Sequence, residues 1–156
     1  MERCEKHAED IVEFYRKKWE RLGNKNNYNH NKVESNRIGV RCEAATERWV
    51  TTFLDSQEVI SNFWDYENTP GNGDIDIRDI PLEIKGLQFN QWKRFRRMVP
   101  PKQLEQYWRK NAVVIWGFAT KDVGNNEVEL KGWNWANEVK QHGVEIRTIC
   151  DNIWLE

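Results

Sequence analysis

The chain has 156 residues, 24 Lys+Arg against 25 Asp+Glu, a formal charge of −1, and 38% apolar residues that include nine tryptophans. At this length one domain can bury roughly two-thirds of the surface its unfolded chain exposes, so a core forms without disulfide or metal staples. The near-neutral balance excludes a protein whose whole surface is basic, the simplest kind of nucleic-acid binder, and leaves open a locally basic face.

In chain order, Ile11, Val12, Phe14, Tyr15, Trp19 and Leu22 form one apolar stripe and predict an amphipathic helix over 5–22, which Gly23 ends. GNKNNYNHNKVESN, with five asparagines between Asn24 and Asn31, reads as a polar loop. A second helix is expected from Asn36 to Leu54, with Val40, Ala44, Trp49, Val50, Phe53 and Leu54 on its buried side. EVISNFWDY is rich in β-branched and aromatic residues and reads as a strand, and ENTPGNG as a turn-rich connector. DIDI and PLEIKGL form a β-hairpin with its reversal at Arg78-Asp79. FNQWKRFRRM reads as a helix that the Pro100-Pro101 pair ends, and PKQLEQYWRK as another with proline at its start, where the missing N–H is tolerated. AVVIWGFA should be a central strand buried on both faces, followed by a strand over EVELKGW, a helix over WANEVKQHG and a strand over VEIRTIC. The expected fold class is α/β (α+β), a central mixed β-sheet flanked by helices, in a single domain over 1–156.

Cys4, Cys42 and Cys150 contain no C-x-x-C pair and read as reduced thiols, while His7, His30 and His142 lack ligand spacing. No apolar run approaches the ~18 residues needed to span a bilayer, so the expectation is a soluble intracellular protein with no membrane partner, cytoplasmic or acting in a host cell if viral. Sixteen asparagines argue against a heat-adapted source.

The chemistry-bearing residues gather in the hairpin. Strand alternation puts Glu83 and Lys85 on one face, opposite Leu82 and Ile84, and Asp74 and Asp76 on one face, opposite Ile75 and Ile77. With the reversal centred on Arg78-Asp79, Asp74 lies across from Glu83 and Asp76 across from Pro81. Charges this near a sheet interior are costly unless compensated, and one lysine cannot neutralise three carboxylates. A divalent cation can, and oxygen-only ligands select Mg²⁺ or Mn²⁺ over zinc. The adjacent lysine suits orienting or deprotonating an attacking water, or stabilising charge that builds on a phosphorus centre. The alternative is an exposed, salt-bridged hairpin at the protein's edge.

GDIDI followed by PLEIKG resembles the PD-(D/E)XK nuclease superfamily, in which a metal-binding aspartate opening one strand precedes E-x-K on the next. The resemblance covers roughly residues 37 to 120, leaving the N-terminal helix and polar loop, 1–36, outside it. It implies a restriction-endonuclease-like, or Holliday-junction-resolvase-like, core and an endonuclease or exonuclease that hydrolyses phosphodiester bonds with Mg²⁺, Mn²⁺ substituting. Under it, Asp74 or Asp76, Glu83 and the Ile84 main-chain carbonyl would hold metal, and Lys85 would act on the attacking water. The family's helix glutamate, in a pattern like E-x-x-hydrophobic-x-x-x-Leu, maps to Glu47 or to Glu43 four residues before it; Glu47 is preferred for its spacing to Val50 and Leu54. Two departures stand out: Gly73 replaces the family's proline, and the hairpin is tighter than usual. Gln103-x-x-x-Tyr107 resembles a motif downstream of E-x-K in exonuclease-type members, and Gln88 is a further polar group beyond E-x-K.

Between Lys85 and Lys110 stand eight Lys or Arg and one acidic residue, Glu105, so the segment is +7 and the remainder −8. Arg94, Arg96 and Arg97 are the first candidates for phosphate contact, because guanidinium engages phosphate oxygens bidentately, with Lys93, Lys102, Gln88 and Gln91 beside them. Trp92, Phe95 and Trp108 are expected as buried helix stripes, and Trp133, Trp135 and Trp154 as core or dimer contacts. The expected partner is nucleic acid, DNA ahead of RNA; junction resolution or paired duplex cuts would need a homodimer. The competing function is a non-catalytic nucleic-acid-binding or protein-interaction module that keeps the fold and holds its carboxylates in salt bridges.

Overall fold

The computed structural model describes residues 2–21, 33–67, 72–119, 128–147 and 151–155. The Asn24–Asn31 polar loop, the Pro70-Gly71 pair and Cys150 lie outside them. The first apolar stripe folds as α1, Glu2–Arg21, and the second as α2, Val33–Thr51. They pack on each other and on the sheet, with Cys4 and Ala8 of α1 and Ile38, Val40, Cys42, Ala44 and Val50 of α2 buried in one apolar cluster.

The sheet is mixed and five-stranded: β1 (Val59–Ser61), β2 (Ile75–Ile77), β3 (Ile80–Gln88), β5 (Val113–Ala119) and β6 (Val128–Trp135), in the order β1-β2-β3-β5-β6. Among the described strands of this sheet, only β3 and β5 run parallel. Their connection must therefore cross over, and it does so through α3 (Phe89–Phe95), β4 (Arg97–Val99) and α4 (Pro101–Arg109). Every residue of β5 is buried, because both faces are covered. Ile115 and Val113 join the α1/α2 cluster, while Val114 and Trp116 join a second cluster with Leu104 and Tyr107 of α4 and Ala136 and Val139 of α5 (Ala136–His142).

Three elements differ from the sequence reading. The strand expected over EVISNFWDY stops at Ser61, and Asn62–Trp64 forms a single helical turn that buries Phe63. Its backbone N–H donates to the Asp74 carbonyl at 2.9 Å, so the chain turns inward beside the hairpin. The helix expected over FNQWKRFRRM ends at Phe95, where Arg96 takes φ 50, and Arg97–Val99 becomes β4. Val99 precedes Pro100, whose ring disfavours helical backbone at the residue before it. β4 then pairs with β8 (Asp151–Leu155), and β8 with β7 (Val144–Arg147), in a separate antiparallel sheet. The strand expected over VEIRTIC is β7 as far as Arg147, the last described residue there, and it belongs to this second sheet rather than the first. Trp116 Nε1 ties the two sheets by donating to the Met98 carbonyl at 3.1 Å.

Among the described residues no helix is long and apolar enough to cross a membrane.

Candidate active site

The hairpin forms at the expected register, with Ile77 opposite Ile80, Asp76 opposite Pro81 and Ile75 opposite Leu82. Arg78 closes it in the left-handed region, φ 54, held by its guanidinium on Glu58 Oε1 at 2.6 and 3.0 Å. Beyond Leu82 the strands part, and β3 continues to Gln88 while β2 has ended. The carboxylate of Asp74 takes over where the ladder stops: Oδ2 accepts the Ile84 N–H at 2.8 Å. Gly73 permits this. A Cβ there would lie 2.8 Å from the backbone N and O of Leu82 and 2.9 Å from Pro81 Cβ, so no proline fits at that position of this tight hairpin.

The two aspartates have separate surroundings. Asp76 is buried and fully engaged in shaping the turn: it accepts from Asn62 Nδ2 at 2.7 Å, from the Asn72 N–H at 3.0 Å and from the Gly73 N–H at 2.9 Å. Asp74 instead lies against Glu83 and Lys85.

The two helix glutamates also part company. α2 descends closely on the sheet because small residues meet: a Cβ on Gly86 of β3 would stand 3.0 Å from Gly39 Cα and 3.2 Å from Cys42 Sγ. That approach brings Glu43, one residue after Cys42, into the field of Asp74, Lys85 and Glu83. Glu47, the glutamate preferred from spacing, accepts instead from Trp64 Nε1 at 3.0 Å. One turn of helix separates the two roles, and the Gly39–Gly86 contact decides which glutamate reaches the hairpin.

The group is electrostatically tight. Burial pushes Glu83 up to about 7, the negative charge of Asp74 adding to it. Burial likewise raises Asp74, against the stabilising Ile84 N–H, and raises Glu43 well above the carboxylate range, Asp74 reinforcing it. Lys85 is pulled down by burial while Asp74, Glu83 and Glu43 oppose the shift. Burial, with repulsion at Glu43 and Glu83, thus raises the proton affinity of all three carboxylates, while burial lowers that of Lys85.

α4 supplies the other wall. Gln103 Oε1 accepts from Lys85 Nζ and, at 3.2 Å, from the Tyr107 hydroxyl. Burial raises the Tyr107 phenol further above its usual range, with the carboxylates of Glu83, Asp74 and Glu43 adding to the effect, so it remains a donor. Lys110, which the sequence reading passed over, bonds Glu83 Oε1 and the Asn72 carbonyl. The signal was in the spacing: Gln103, Tyr107 and Lys110 fall at i, i+4 and i+7, one face of a helix. Glu43, Asp74 and Glu83 border a cleft of about 410 Å³ whose far wall includes Ile11 and Tyr15 of α1, a segment outside the region of family resemblance.

The residues predicted to bind nucleic acid are dispersed. Lys93, Arg94 and Arg96 are exposed on and just beyond α3, off the far end of β3, with Lys93 over the Phe89 ring and Arg94 over that of Phe95. Arg97 donates to Asn134 Oδ1 at 2.7 Å, and Gln91 Oε1 caps α3 by accepting the Gln88 N–H at 3.2 Å. Lys102 is exposed on the outer side of α4, in a shallow surface hollow with Glu105 and Arg109. Trp92 packs against Phe118 as expected of a helix stripe, whereas Trp108 is 37% exposed beneath Lys140.

Whether the site suits a divalent ion turns on its donors. Glu43, Asp74 and Glu83 offer oxygen alone, the donor chemistry of a hard cation. Among the described residues no three His, Cys, Asp or Glu side chains converge closely enough to hold a metal as they stand. One of the carboxylates, Glu83, is held by Lys110. Set against protein-family models, curated proteins and solved structures, the chain matches none.

Proposed function

We propose that this chain is a metal-dependent nuclease with a restriction-endonuclease-like core, hydrolysing phosphodiester bonds of nucleic acid, DNA ahead of RNA. The observation that carries the reading is the half-buried Lys85 set among Asp74, Glu83 and Glu43 where β2 leaves β3. That arrangement joins oxygen donors for Mg²⁺ or Mn²⁺ to a base of lowered proton affinity at one opening in the sheet.

When bound, the divalent ion supplies a Lewis acid that acidifies water and offsets charge on the phosphate. Asp74, Glu83 and Glu43, with the Ile84 carbonyl, are the residues that would hold it. Asp74 is oriented for this by the Ile84 N–H, which fixes one of its oxygens. Lys85 Nζ is positioned by Gln103 Oε1, itself steadied by the Tyr107 hydroxyl. With its proton affinity lowered by burial, Lys85 can orient the attacking water and take up its proton. Asp76 serves the turn, and Glu47 anchors Trp64, neither touching the reacting atoms. Lys93, Arg94 and Arg96 would meet phosphates flanking the scissile one, Lys102 extending the basic surface along α4.

Purified protein should cut at least one member of a panel of single-stranded, duplex and branched DNA and RNA in Mg²⁺ or Mn²⁺. Glu83→Ala, Lys85→Ala and Glu43→Gln should each lower the rate by about a hundredfold or more, and Glu47→Gln should not. Inertness toward the whole panel overturns the reading.

The Lys110–Glu83 pair favours a second reading, a nucleic-acid-binding or interaction module whose carboxylates are held in salt bridges. In that case the protein binds duplex DNA without cleaving it, and Glu83→Ala leaves binding intact.

A further inference from the structure

Lys110 follows the last residue of α4, where Asn111 takes φ 55 and the Ala112 N–H donates to the Tyr107 carbonyl at 2.9 Å, turning the chain into β5. Its Cα is thus fixed beside the hairpin. The side chain reaches over the Tyr107 ring, Nζ 5.6 Å from the centroid, and ends on two oxygens, Glu83 Oε1 and the Asn72 carbonyl. One is a carboxylate and one a peptide carbonyl, the hard oxygens a divalent cation takes.

The two partners differ in freedom. The Lys110 side chain is 30% exposed and that of Glu83 9%. An ammonium on a flexible four-carbon stem can rotate into solvent, whereas a buried carboxylate on a central strand cannot follow it. The pair therefore opens by movement of the lysine.

We propose that Lys110 is a resident cation that holds Glu83 until a divalent ion displaces it. The inference rests on the reading that these carboxylates take such an ion. Without Lys110 or a divalent ion, Asp74, Glu83 and Glu43 would share Lys85 as their one close cation, too little charge for three buried carboxylates and a costly arrangement. Lys110 offsets that cost in the metal-free protein and holds Glu83 out of a ligand set. Once displaced, its charge stays tethered at the rim of the cleft, where it favours an anionic phosphodiester. Lys110 is in this sense a positioning residue that acts through Glu83.

Calorimetric titration with Mn²⁺ tests this on the full chain. Lys110→Met removes the competing charge and should bind Mn²⁺ about tenfold tighter or more than the natural sequence. Lys110→Gln keeps a hydrogen-bond donor for both oxygens without the charge, should tighten binding likewise, and serves if the Met variant does not fold. Lys110→Arg restores a cation and should return affinity to the natural range. Adding Glu83→Gln to Lys110→Met should abolish the gain. Binding by Lys110→Met and Lys110→Gln no tighter than by the natural chain, or a gain that survives Glu83→Gln, overturns the exchange. Cleavage assays on the same proteins separate it from the nuclease reading. Tighter Mn²⁺ binding with no cleavage of any substrate overturns the nuclease and keeps the exchange. Cleavage by the natural chain with unchanged Mn²⁺ affinity in both variants does the reverse.

Discussion

Glu83 carries a proton more tightly in the folded protein than an exposed glutamate does, because burial and the Asp74 charge both penalise its ionised form. Its folded value of about 7 lies above the ordinary 4.5. A raised value of this kind contributes stability that is full below the unfolded value and lost as pH rises through the folded one. Asp74 and Glu43 are shifted in the same direction. The metal-free protein should therefore melt several degrees lower at about pH 8 than at about pH 5.5, and Glu83→Gln should flatten much of that slope in calorimetric scans. A melting temperature that rises over the same interval, with Glu83→Gln indistinguishable from the natural chain, would contradict the account. At this scale the motif letters were legible, since Asp74, Glu83 and Lys85 are adjacent in sequence or across a short hairpin. The choice between Glu43 and Glu47 was not: both occupy one helical face, and only the depth of α2 against β3 distinguishes them.

The elements explain why that hairpin is open on one side. β2 spans three residues against the nine of β3, so backbone groups beyond Leu82 need a partner from elsewhere. Asp74 fills that need at Ile84, and the approach depends on a glycine before it. Gly73→Ala would drive a methyl group into the Leu82 backbone, which cannot yield as a side chain end can. The variant should lose about 1–3 kcal/mol in urea unfolding and, by displacing Asp74, should also weaken Mn²⁺ binding. Unchanged stability would show that the hairpin relaxes without cost. α3 and β4 illustrate the opposite case. Helical periodicity continues into the arginine run, but Val99 must meet Pro100 in extended backbone, and β4 found its partner in β8, more than fifty residues away.

On the scale of the whole molecule, α1 is part of the structure that holds the site. Cys4 and Ala8 sit in the core with α2, His7 Nε2 meets the Phe63 carbonyl at 2.8 Å, and Ile11 and Tyr15 wall the cleft. Removing residues 2–21 would expose that cluster and unseat the turn beside Asp74. The shortened chain should lose on the order of 3 kcal/mol or more of stability in denaturant titration, more than the trimming of a peripheral arm would cost. The near-neutral total also acquires a layout. The positive segment from Lys85 to Lys110 runs out along β3, around the crossover and back down α4, so both of its ends, Lys85 and Lys110, stand at the carboxylates.

Sequence alone determined the helices and strands with strong local periodicity, the hairpin and its register, the buried β5, and the grouping of Asp74, Glu83 and Lys85, because each depends on residues near one another along the chain. Tertiary structure decided that Glu43 rather than Glu47 stands by them, and that β4 pairs with β8 in a second sheet. Those outcomes depend on how closely two glycines let a helix approach a strand, and on which distant strand offers an unpaired edge. Neither quantity is written in local spacing.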